Sequence, residues 1–222
     1  RVMLFYPIML GGLARLLLHR HLLTSQFAAA TAVVLVILAA GFDFGMIAGF
    51  SLLDDRDDHV LVSILISPVS ADRYVWVKVA FAFLMAVLAG AATILISGIL
   101  TPPAPGMFLV ALLAAMQVPI NAFLVNVFAH DRAEGLAATK FTGILVFLPV
   151  VAWLLTDWKQ WILAFVPGFW PTKAIQSQSV ASTITTSHTV LPLGFSAFIA
   201  VGFLWCFIAA GFTFILFKKR PL

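Results

Sequence analysis

Polar residues are so sparse along this chain that they divide it into six apolar stretches, running approximately over residues 2–18, 28–51, 75–99, 107–129, 140–156 and 192–217. A helix needs about 20 apolar residues to cross a bilayer, and all six stretches are read as transmembrane helices. The first is short for a span, and because Arg1 is not an initiator methionine its start is expected upstream. It passes for a signal peptide in length, but no A-x-A-like cleavage site and soluble mature chain follow, so it too is read as a span. The apolar runs are unbroken rather than alternating, which excludes a transmembrane barrel. Helices satisfy their own backbone groups in lipid. The expected fold is therefore an all-α integral membrane protein of six transmembrane helices, a single domain over residues 1–222 with no internal repeat and no linker.

Composition agrees. Of 222 residues, 63% are hydrophobic and 10% charged, and the mean hydropathy is +1.10. That is too little polar material to cover a soluble domain. The net charge of +4 calls for no nucleic acid, because basic residues on one membrane face are the ordinary topogenic signal. With a cytoplasmic N-terminus, Arg1, Arg56, Arg73, Lys78, Arg132, Lys140, Lys218, Lys219 and Arg220 fall inside, and Arg15, Arg20, Lys159 and Lys173 fall outside. Nine against four favours this orientation and places both termini in the cytoplasm. Arg15 fits least well, and is expected to snorkel outward from a span end. The one cysteine, Cys206, lies in an apolar segment and reads as a packing residue.

The connecting segments differ in character. Thr101-Pro102-Pro103-Ala104-Pro105-Gly106 reads as a tight, uncharged external turn. Residues 157–191 form the longest external segment, too apolar in its first half for a solvated loop. Two readings stand for it: short re-entrant or interfacial helices anchored by Trp153, Trp158, Trp161 and Trp170, or a plain aromatic belt at the outer interface. A Ser/Thr-rich tract ending near His188 closes the segment.

No G-x-x-x-x-G-K-[ST] phosphate loop is present, so ATP binding in that manner is excluded. No Cys/His cluster has metal-ligand spacing, and no nucleophile–base pair can be argued, so catalysis within the chain is disfavoured. His19 and His21 around Arg20 read as an interfacial cluster.

Charge is concentrated in Leu52-Leu53-Asp54-Asp55-Arg56-Asp57-Asp58-His59, which holds four of the nine acidic residues. Such a run cannot lie in hydrocarbon, where a central charge costs at least about 2.5–3.5 kcal/mol, and must face water between two spans. Val60, Leu61, Ile64 and Leu65 then give an apolar stripe for a short surface helix, which Pro68 ends. Ser70 and Asp72 can cap the next span. The acidic run stands ahead of the surface helix, at the positive end of its dipole. It is either a solvated, well-capped loop or a docking element for a soluble partner.

Within the second stretch, Asp43 lies about 16 Å above the cytoplasmic end of its helix, eleven residues before Asp54. Gln117 and Asn121, one turn apart on the fourth span, lie at about 13–20 Å. The matching depths lead us to expect Asp43 to hydrogen-bond Gln117 or Asn121, or to face a polar cavity. A structural lock and a substrate or proton role both stand. Gly41, Gly45 and Gly49 form a small-residue face for close helix packing. Pro119 and Pro149 fall inside spans and are expected to kink them.

Gly49-Phe50-Ser51-Leu52-Leu53-Asp54-Asp55-Arg56-Asp57-Asp58, followed by Ile66-Ser67-Pro68-Val69-Ser70 and Tyr74, resembles a stretch of the ABC-2-type transporter permeases, especially the fluoroquinolone and multidrug export subunits. Asp131-Arg132-Ala133-Glu134-Gly135-Leu136 with Lys140, and Phe169-Trp170-Pro171-Thr172-Lys173-Ala174, are similar in the same order. The resemblance implies a six-helix half-transporter with a coupling helix between the second and third spans and re-entrant helices before the last. It implies docking on a cytoplasmic ATPase through Asp54, Asp55, Arg56, Asp57, Asp58 and His59, with Asp131, Arg132 and Glu134 as a second contact. Two ATPase copies, which bind ATP and Mg, and a second permease subunit, identical or different, would complete the exporter; no cofactor is expected in this chain. The location implied is the prokaryotic plasma membrane. The family pattern usually has a small residue where His59 stands, and the family's amphipathic N-terminal helix has no counterpart here. Hydrophobic or amphipathic, drug-like compounds are the expected cargo. The rival classes are a proton- or ion-coupled transporter or channel using Asp43, and a membrane-embedded assembly or immunity protein.

Overall fold

No proline interrupts residues 26–57, so nothing breaks the backbone ladder there, and α1 (Gln26–Asp57) runs unbroken for 32 residues. At about 48 Å it is longer than the hydrocarbon is thick, and its acidic last turn projects beyond it. The computed structural model describes residues 9, 12, 15–16, 26–60, 64, 70–97, 104–155, 158–181 and 193–219. Six further α-helices follow: α2 (Ala71–Ser97), α3 (Ala104–Ala115), α4 (Gln117–Phe128), α5 (Arg132–Leu154), α6 (Phe169–Ala181) and α7 (Phe195–Lys218). A 3-10 helix, Trp158–Phe165, lies between α5 and α6, and no strand occurs among the described residues.

Among the described residues, five segments are long and apolar enough to cross a membrane: Ile37–Asp57, Ala71–Ile96, Phe108–Phe128, Arg132–Leu154 and Phe195–Lys218. The expected first span, 2–18, falls outside the described residues apart from Met9, Gly12, Arg15 and Leu16. Arg15 donates to the Ile96 carbonyl near the end of α2 at 3.4 Å. His19 to His21, residues 101–103, most of the surface helix at 61–69 and the Ser/Thr-rich tract also fall outside.

The expected span 107–129 is two helices meeting at Met116, whose N–H donates to Leu113 O at 3.2 Å. Pro119 supplies the reason: it has no N–H for the Ala115 carbonyl four residues back, and its ring crowds that carbonyl. Pro149 stays inside an unbroken α5.

Helices α1 and α4 form the centre. Gly41, Gly45 and Gly49 lie so close to the end of α3 and to α4 that an added Cβ would come within 2.6 Å of Ala114 O in α3, and 2.9 Å of Asn121 Cβ and 3.3 Å of Ala122 Cα in α4, respectively. The expected small-residue face is thus the α1–α4 seam. Around it, α2 packs on α1, and α7 packs on α4 and α6. Phe123 of α4 meets Trp76 of α2 and Phe214 of α7 at 5.5 and 5.2 Å between ring centroids. Trp153 and Trp170 are buried in the core, while Trp158 and Trp161 lie at the surface. Two of the four tryptophans expected at an interface are therefore packing residues. The C-terminal ends of α1, α4 and α7 and the N-terminal ends of α2 and α5 meet at one pole, here called the charged end.

Candidate functional site

Asp54, Asp55 and Asp57 occupy the last turn of α1, at the negative pole of a helix dipole, where carboxylates are disfavoured. The surface helix at whose positive pole the sequence places this run lies mostly outside the described residues; α1 itself continues past residue 51 to Asp57 and turns its negative pole to the carboxylates. Neighbouring helices supply the missing cations. Lys78 of α2 pairs with Asp55 and donates to Ser51 Oγ at 2.8 Å. Arg132, at the start of α5, approaches Asp54 with 3.5 Å between Nη1 and Oδ1. Gly135 lets α5 close on α1: a Cβ there would come within 2.8 Å of Phe50 and 2.9 Å of Leu53.

The two segments read from the sequence as separate contacts thus form one knot. Asp54, Asp55 and Arg56 are half-buried within it, while Asp57, Asp58 and His59 stand exposed. His59 ends the helix in the left-handed region (φ 55°), its N–H donating to Arg56 O at 3.1 Å. Glycine reaches that conformation without a Cβ penalty, whereas a histidine there costs roughly 1 kcal/mol.

Asp131 caps α5 by accepting the Glu134 N–H at 2.8 Å, and Glu134 reaches back to the His130 N–H at 2.8 Å. This reciprocal arrangement, close to a capping box, fixes the start of the helix that carries Arg132. Next to it, Phe128, Ala137, Ala138, Phe141 and Thr142 line an apolar recess of about 510 Å³ with Glu134 among its walls.

Inside the membrane, the expected depths hold but the expected bond does not form. Gly41 and Gly45 stand opposite Gln117 and Asn121 respectively, so Asp43 lies level with them. Gln117 donates instead to Ala114 O at 3.1 Å. At 100° per residue, Asp43 stands about 200° around α1 from both glycines, so it points away from α4. It shares its half-open face with Ile47, which is 37% exposed. The polar lock between α1 and α4 is a residue the sequence reading missed. Asn126, fully buried, donates to Gly49 O and Ala122 O at 2.9 Å each. Its signal was its position on the helix that faces the third glycine of the seam.

A second polar cluster, also missed, lies at the opposite pole. Lys173 of α6 is 0% exposed and donates to Leu155 O at 2.9 Å and Gln176 Oε1 at 2.8 Å. Gln176 donates to Trp153 O at 3.0 Å. Two of the carbonyls that the end of α5 leaves without intrahelical partners are satisfied in this way. Burial pushes the Lys173 amine down to about 8. Among the described residues, no group of three or more His, Cys, Asp or Glu side chains is placed to hold a metal ion.

Long apolar helices with their charges gathered at one pole define a multi-pass membrane protein. The chain belongs to the fluoroquinolone export permeases: the family described as Fluoroquinolones export permease protein Rv2686c-like matches residues 1–213. Two relatives, the fluoroquinolones export permease proteins MT2760 and Rv2686c of Mycobacterium tuberculosis (strains CDC 1551 / Oshkosh and ATCC 25618 / H37Rv), are each 28% identical over 134 residues. The match covers 59% of this chain and 52% of each relative, so the chain spans about half the length of the curated relatives it matches. No solved structure matches it.

Proposed function

We propose that this chain is the permease subunit of an ATP-driven exporter of the ABC-2 type, moving hydrophobic or amphipathic drug-like compounds out of the cell. In this reading the charged end is cytoplasmic and six spans place both termini there. The segment after His59 is the coupling helix, and the helices Trp158–Phe165 and Phe169–Ala181 are external re-entrant elements. A separate ATPase, present in two copies, binds ATP and Mg and docks on Asp57, Asp58 and His59. A second permease subunit completes the path. Fluoroquinolones, named for the relatives, are the first compounds to test.

One observation carries the docking assignment. Asp54 and Asp55 are tied to α5 and α2, whereas their neighbours Asp57 and Asp58 are exposed at the tip of the same knot. A partner that grips the tip moves three helices together. The tie between Asp54 and Arg132 also makes the second loop part of the transmitting structure rather than an independent contact. The apolar recess beside α5 has the volume of a drug-sized site, and its place beside the knot suits entry of amphipathic compounds from the inner leaflet.

The test is purification from native membranes in mild detergent. Wild type is expected to bring an ATPase subunit with it, and D57K/D58K to lose it by about tenfold or more, as expected when charged contacts become repulsive. Both changes leave the Lys78 and Arg132 pairs in place, so the permease itself is expected to purify in normal amounts. If neither form brings an ATPase, the reading fails, and proton- or ion-coupled transport through Asp43 becomes the hypothesis to pursue.

A further inference from the structure

Helix α5 is held at its two ends and lightly in between. At the charged end, Arg132 meets Asp54 and Gly135 packs against Phe50 and Leu53. At the other end, Lys173 and Gln176 take the Leu155 and Trp153 carbonyls. Between them, Phe141, Ile144, Phe147, Val151 and Leu154 form one exposed face, as expected of a helix turned to lipid. The weak point of such a helix is its internal proline, and that point is braced: a Cβ on Gly168 would meet Pro149 Cγ at 2.7 Å. The helix is 23 residues, about 34 Å.

We propose that α5 is a rod that transmits displacement of the charged end to the helices Trp158–Phe165 and Phe169–Ala181, with Lys173 as the latch that fastens it there. The latch joins α6 to the α5 terminus through backbone carbonyls, which cannot swing away as side-chain acceptors can. Thr172 strengthens the hold by donating to Gly168 O at 2.7 Å, closing the start of α6 beside Pro149. Movement of α5 along its own length therefore moves the buried face of α6, which packs on α7 and α3. The link to export rests on the proposed function; the mechanical link does not.

Hydrogen exchange on the purified, full-length protein tests the rod without any ATPase. Gly135→Val, which wedges α5 off α1 at the charged end, is expected to speed exchange of amides in Phe169–Gln176, about 34 Å away. Lys173→Met is expected to speed exchange in the last turn of α1, from Leu52 to Asp57. Effects confined to each variant's own end would overturn the rod. Gln176→Met, which keeps the Lys173 bond to Leu155, serves in the same test if Lys173→Met does not fold.

In the reconstituted exporter, with norfloxacin as the probe, Lys173→Met is expected to lower drug moved per ATP hydrolysed about tenfold while hydrolysis holds within about twofold. A merely structural role would lower transport and hydrolysis together, and that result would overturn the latch. If wild type shows no ATP-dependent transport, the exporter reading falls and the exchange result alone decides the rod.

Discussion

A buried lysine is costly to keep charged, and among the described residues Lys173 meets that cost with carbonyl oxygens. Its amine is held near 8 by burial, against about 10.4 in an unfolded chain. Between those values the unfolded chain binds the proton and the folded chain does not, so the group's contribution to stability rises with pH across that window. Below it, the full cost of burying the ammonium is present. The neutral amine still has two N–H groups for its two acceptors, so the latch persists through the titration. Thermal unfolding in detergent from about pH 7.5 to 10.5 is expected to show wild type gaining on Lys173→Met as pH rises. A constant difference between the two proteins would exclude this. Nothing in the residue pattern announced the latch. Lys173 stood as one external positive charge and as a member of the family-like stretch over residues 169–174, with no bonding role, because a sequence does not show which carbonyls a neighbouring helix leaves open.

At the scale of the elements, the glycine seam decides how close α1 can come to α4 and to the end of α3 that leads into it. Gly41→Ala would push a Cβ to 2.6 Å from the Ala114 carbonyl, a backbone atom that cannot step aside. A loss of about 1–3 kcal/mol is expected, read by reversible denaturation in mixed micelles. Gly211→Ala, with nothing within 4 Å, is the control and is expected to be neutral or to gain up to about 1 kcal/mol. Equal losses in the two would mean that the seam does not limit packing. This seam was legible in the sequence because i+4 spacing is a property of the helix itself. Depth was legible for the same reason: 1.5 Å per residue placed Asp43 level with Gln117 and Asn121. The direction of Asp43 was not used, although two residues of offset from each glycine already turn it away from α4. The reach of α1 to Asp57 was hidden because charge marks where lipid ends, and a helix can continue into water. That extension placed four acidic and basic docking candidates on a helix terminus instead of a loop.

For the whole molecule, Asp43 on the half-open face of α1 is the residue whose surroundings are completed by something other than α4. In the proposed exporter, Asp43 would line the path between halves. Asp43→Asn is expected to cut export of a compound with a protonated amine about tenfold, while a neutral analogue is moved as before, as expected of a charge-assisted contact. Equal loss for both compounds would point to a structural role. The bundle also has an unequal distribution of forces. The ion pairs of Asp55 with Lys78, Asp54 with Arg132, Glu134 with His130 and Asp72 with Lys218 lie at one pole. Among the described residues the other pole is joined by hydrogen bonds to uncharged acceptors, from exposed Arg15 and from Lys173, which solvent does not reach. Dissolved salt weakens exposed pairs within a Debye length of about 8 Å at physiological ionic strength, and leaves buried hydrogen bonds nearly untouched. In a sealed vesicle the molecule is therefore sided in its response to electrolyte: a rise in concentration on one side loosens it, and the same rise on the other does not.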